Sequence, residues 1–97
     1  MAYLTITRIS GDPGELLDGY RQSADTMSGV GRDHGLILHA AAQSGDGLVV
    51  VNLWPSKDGS EAAARDPRRL ATAQKNGLTP DRIRPEHFDV ENYELFD

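Results

Sequence analysis

Polar and apolar positions along this chain follow two periods, one of strands and one of helices. Tyr3 to Ile9 alternates and is rich in Thr, Ile and Tyr, which predicts a first strand. Gly11-Asp12-Pro13-Gly14 then interrupts the pattern, with Asp12 suited to cap a helix and Pro13 to its first position. Leu16, Leu17, Tyr20, Ala24 and Met27 recur at spacings of three and four, so a helix follows, with Gly29 and Gly31 expected to end it. Leu36 to Gln43 reads as a second strand, Ser44-Gly45-Asp46-Gly47 as a turn, and Leu48 to Trp54 as a third strand, together a hairpin. After Pro55, Ser56 or Asp58 can cap a second helical region. Asp66-Pro67 predicts a break in it, and Gly77 its end. Thr79-Pro80 opens a short turn, and Phe88 to Phe96 alternates as a fourth strand.

The order β-α-β-β-α-β is the ferredoxin-like arrangement, an α+β fold with a four-stranded antiparallel sheet and two helices on one face. It spans residues 1–97 as one domain. The third strand is unusual. Leu48, Val50, Asn52 and Trp54 share one side, and Val49, Val51 and Leu53 share the other, so it is apolar on both. An antiparallel strand with one wet face alternates. An apolar face that no helix covers normally marks an interface, so the pattern predicts a homodimer packed sheet to sheet.

Composition narrows the classes. A net charge of −5 argues against nonspecific nucleic-acid binding, which needs a positive footprint. The cluster Arg65, Arg68, Arg69 and Lys75 reads as a solvated helix face, with Glu61 four residues before Arg65. With no cysteine, disulfides and thiolate chemistry are excluded. No apolar run reaches the roughly 18–20 residues needed to span a membrane, and Met1 to Thr5 does not open a secretory signal, so a cytoplasmic protein is expected. No histidine pair has ligand spacing, and no metal, phosphate-loop, dinucleotide or nucleophile-elbow motif occurs, so neither metal nor cofactor is expected.

Two segments carry a family likeness: Asp46 to Ser56 followed by Glu61-Ala-Ala-Ala, and His87-Phe88-Asp89-Val90-Glu91-Asn92-Tyr93. Together they resemble the dimeric α/β-barrel superfamily, in particular its antibiotic-biosynthesis-monooxygenase group. The resemblance implies two sheets closing into a barrel across a dimer, with a pocket between sheet and helices in each protomer. Members include cofactor-free oxygenases of phenolic polyketides, haem-degrading enzymes, lactone isomerases and polyketide cyclases. The haem-degrading members take an axial histidine from the second helix, and Lys57 to Asn76 contains none.

The candidate site residues follow. In the oxygenases a Trp and an Asn near this strand orient the substrate and steady its anion, which implies such roles for Trp54 and Asn52. An amide and an indole N–H can both donate to a phenolate or peroxy anion. The structural alternatives are a Trp54 that fills the core and an Asn52 that satisfies neighbouring backbone. His39 lies mid-strand on the face shared by Ile37 and Ala41, near Asn52 if the hairpin register allows, and a neutral imidazole there can take a proton from an acidic phenol, the alternative being a histidine bonded to backbone. His34, in a polar loop, reads as solvated. Tyr20, His87 and Tyr93 are candidate substrate contacts, Tyr20 because it lies on the stripe of the first helix that faces the sheet. The expected function is cofactor-independent oxygenation of a small aromatic, hydrophobic ligand. A non-catalytic ligand-binding module and an isomerase or cyclase are the alternatives.

Overall fold

Each helix of this chain begins where a short polar side chain accepts a hydrogen bond from the first turn. The structure is a computed structural model, and it describes residues 1–96. After strand β1 (Tyr3–Ser10), the Asp12 carboxylate accepts from the Glu15 N–H and starts helix α1 (Pro13–Asp33). Strands β2 (Leu38–Ser44) and β3 (Gly47–Trp54) form the predicted hairpin. Ser56 caps helix α2 (Lys57–Ala64), and Asp66 caps helix α3 (Pro67–Lys75), so the break at Asp66-Pro67 gives three helices rather than two. A short 3-10 turn, Pro80–Arg82, leads into strand β4 (Ile83–Asp89).

The strands form one antiparallel sheet in the order β2-β3-β1-β4. Trp54 packs in a core with Val30 of α1 and Ala63 of α2, so the helices cover the face that carries Leu48, Val50, Asn52 and Trp54. Residues paired across strands share a face, which places Tyr3, Thr5, His39 and His87 on the helix side too. The other side, with Leu4, Ile6, Leu38, Val49, Val51 and Phe88, has no helix over it. On that side Leu53, near the end of β3, is buried, whereas Leu38 and Phe88 are exposed.

Two boundaries differ from the sequence expectation. Helix α1 runs through Gly29 and Gly31 and stops at Gly35, whose φ of 81° is the left-handed turn that a helix end favours. Gly31 is needed for contact: Leu36 lies so close that any side chain at that position would collide with it. Strand β4 lies several residues earlier than Phe88 to Phe96. Its ladder runs from Ile9↔Ile83 to Tyr3↔Asp89, and the bond from the Val90 N–H to the Ala2 carbonyl closes it, since β1 ends there. Pro85 argues against a central strand, but β4 is an edge strand, where a residue without an N–H is tolerated.

Candidate active site

Cross-strand pairing places four polar side chains in one row on the helix side of the sheet. His39 pairs with Asn52, Asn52 with Thr5, and Thr5 with His87. At about 4.8 Å per strand, the two histidines stand roughly 14 Å apart. Thr5 is buried at the middle of the row. Apolar residues flank it, with Val50 on one side of Asn52 and Trp54 on the other.

At the β2 end of the row the side chains are joined. The Nδ1 of His39 lies 2.6 Å from Oδ1 of Asn52, and its Nε2 lies 2.7 Å from the Tyr20 hydroxyl. Tyr20 descends from α1, its ring inclined 18° to the imidazole, as its place on the sheet-facing stripe predicts. The oxygen of an amide only accepts, so this arrangement fits the tautomer with the proton on Nδ1. A neutral imidazole then offers the Nε2 lone pair, and the Tyr20 O–H donates to it. Tyr20 and Asn52 are half-buried, and His39 is exposed at the sheet edge.

Trp54 lies beyond Asn52, toward the strand end. Only 5% exposed, it packs against Val30, Ala63, Tyr3, Met27 and Leu36. Its indole N–H is buried and makes no hydrogen bond. Trp54 is thus packed in the core and holds an unused donor.

The remaining candidates lie apart. His87 is exposed and stacks on Tyr3 at a ring separation of 5.8 Å. Tyr93 follows β4, exposed, beside a cavity of about 320 Å³ that Met1, Ala2 and Val90 also line. A larger cleft, about 590 Å³, opens between α3 and β4 and is lined by Leu70, Ala73, Leu78, Ile83 and Pro85. It lies on the helix side of the sheet but across β1 from His39 and Asn52, and none of the candidate residues lines it. Its signal in the sequence is Leu70, an apolar residue left half-exposed on α3.

His34 corrects its sequence reading. Rather than being solvated, it ends α1 and its Nε2 lies 3.0 Å from the Asp66 carboxylate. Asp66 also accepts from the Arg68 N–H and guanidinium, and Arg68 reaches Asp33 at 2.9 Å. The arginine cluster is thus partly structural, tying the end of α1 to the start of α3. Arg68, then His34, hold the Asp66 carboxyl well below the usual carboxylate range. A lowered carboxyl pKa stabilises the fold above the unfolded value and loses that effect as pH falls toward the folded one. Asp66→Asn should therefore melt lower than the parent chain at neutral pH, with the gap closing as pH drops below about 4. A gap that stays constant in melting curves across that range would assign the loss to capping alone.

No protein-family model matches the chain, and no curated protein matches it. Solved structures do. A cofactor-independent oxygenase from Streptomyces nogalater, SnoaB, superposes with a TM-score of 0.65 at 18% identity, over 95% of this chain and 93% of its own. A Caulobacter crescentus protein, provisionally named an antibiotic biosynthesis monooxygenase, gives 0.74 at 12% identity, over 94% and 91%. The chain therefore shares the ferredoxin-like fold of these structures. A dimeric ferredoxin-like protein of unknown function from Jannaschia also shares it, with a TM-score of 0.75 at 11% identity, over 93% of this chain and all of that one. At these identities the likeness is one of fold, and chemistry has to be argued from the site.

Among the described residues, no group of three or more His, Asp or Glu side chains is placed to hold a metal ion. No helix is long and apolar enough to cross a membrane.

Proposed function

We propose that this protein is a small-molecule enzyme that oxygenates an aromatic, enolisable substrate with dioxygen and no cofactor. The observation that carries this is the hydrogen-bonded chain Tyr20–His39–Asn52 on the helix side of the sheet. A base oriented by a fixed partner is what deprotonation of a phenol or enol requires. The resulting anion is electron-rich enough to react with dioxygen directly. In balance, a ring CH2 and O2 become C=O and water. Asn52 and Trp54 hold the anion. The indole N–H of Trp54 is unengaged and the Asn52 amide carries two donors, so an acceptor that reaches either gains a hydrogen bond. The fold likeness to SnoaB, a cofactor-independent oxygenase, supports the same reading.

Oxygen uptake with anthrone and with hydroquinone tests it. The protein should consume oxygen with at least one of them, and Asn52→Ala should slow uptake about a hundredfold, the usual effect of removing one donor to a developing anion. Trp54→Phe should slow it as well. Unchanged rates in both variants would remove the mechanism. Conversion of substrate without oxygen uptake would instead assign an isomerase or cyclase. We propose further that the protein works as a homodimer joined through the sheet faces that the helices leave bare.

A further inference from the structure

We propose that Tyr20, not His39, is the group that meets the substrate's acidic proton, with His39 as the base behind it and Asn52 as its positioning residue. This rests on reading the site as one for proton removal from a phenol or enol.

Occupancy of the ring carries the argument. An imidazole has two nitrogens, and both of His39's are engaged, Nδ1 by Asn52 at 2.6 Å and Nε2 by Tyr20 at 2.7 Å. A substrate hydroxyl has no free position on the ring while this arrangement holds. The Tyr20 oxygen, by contrast, gives its proton to Nε2 and keeps a lone pair free to accept one. Tyr20 is also better enclosed than His39, because it descends from the α1 stripe that carries Ala24 and Met27, and Met27 packs beside Trp54.

The transfer balances without any change of oxidation state. The substrate O–H proton passes to the Tyr20 oxygen as the Tyr20 proton passes to His39 Nε2. Tyr20 ends as a neutral phenol, His39 as imidazolium and the substrate as an anion. The new positive charge is steadied by Asn52, whose Oδ1 accepts from Nδ1 throughout. Run in reverse, the same relay returns a proton to the product. It suits a substrate whose acidic proton sits on oxygen, such as the enol tautomer of an anthrone, since an O–H···O contact to the relay is short and aligned.

Two measurements test the relay. The first needs no turnover: long-range proton–nitrogen NMR of His39 in the resting protein, at mildly alkaline pH. We expect the Nδ1–H tautomer, with Nε2 unprotonated. An Nε2–H tautomer overturns the proposal whatever the protein's activity. The second is steady-state oxygen uptake with anthrone. Tyr20→Phe should lower kcat about a hundredfold with KM little changed, the range of a lost proton-transfer group. His39→Ala should do the same, and the double variant should be no slower than either single, since residues that act as a unit do not add. A Tyr20→Phe protein with parental kcat, or a double variant whose losses multiply, overturns the relay. An inactive parent chain with the Nδ1–H tautomer would instead overturn the oxygenase assignment and leave the Tyr20–His39 pair standing.

Discussion

Trp54→Ala should destabilise this protein by about 3–5 kcal/mol, the usual result of emptying a core position of a large aromatic. The site cannot readily collapse, because Trp54 clusters with Val30 of α1 and Ala63 of α2, and Tyr3 of the neighbouring strand packs against that cluster. For a domain of this size the total is about 5–15 kcal/mol, so the variant should lose a large share of its stability and melt lower by about 15 °C or more. Trp54→Phe should behave very differently. It loses part of the ring volume, but it also deletes a buried N–H that has no partner. Such a donor costs about 1–3 kcal/mol, which offsets most of the lost packing, so the net change should stay within about 1 kcal/mol. Urea denaturation of the three proteins reads this directly. A Phe variant as unstable as the Ala variant would mean that the indole N–H is bonded in solution.

This pair bears on what could be read from the sequence. Alternation alone placed Asn52 and Trp54 on one face, because period is a local property, whereas the register that sets His39 opposite Asn52 is visible only in the ladder. Capping was equally legible at Asp12, Ser56 and Asp66. The role of Tyr20 was only half visible: its stripe faced the sheet, but which strand its hydroxyl meets depends on how α1 lies across β2 and β3. His34 and Asp66 are thirty-two positions apart, and no local pattern joins them. The last strand was misplaced for a physical reason. Phe88 to Phe96 alternates as a strand should, but a strand exists only where a neighbour pairs with it, and β1 is used up at Asp89. Pro85 hid the true segment, since its cost depends on whether the strand lies at an edge, which only the topology decides.

Val51→Lys should turn the proposed homodimer into a folded monomer. Val51 lies at the centre of the bare face, paired with Ile6 on one side and Ala40 on the other. In the single protomer it is only partly covered, so a lysine there can reach solvent by extending its chain and the fold should survive. Between two sheets packed face to face the ammonium would be buried without a partner, and burial of an unpaired charge costs several kcal/mol. A hundredfold or greater weakening corresponds to about 2.7 kcal/mol or more. The charged end of the face sharpens the expectation. Arg8 and Glu86 pair at 2.7 Å on this same side, toward β4, while the apolar part runs through Leu4, Val51, Leu53 and Leu38 toward β2. The contact should therefore be offset toward the β2 half, and breaking the pair with Arg8→Gln should change the association far less than Val51→Lys. Light scattering at micromolar concentration separates the outcomes, with circular dichroism confirming that both variants fold. If the parent chain is itself monomeric under those conditions, the bare face is not a self-association surface.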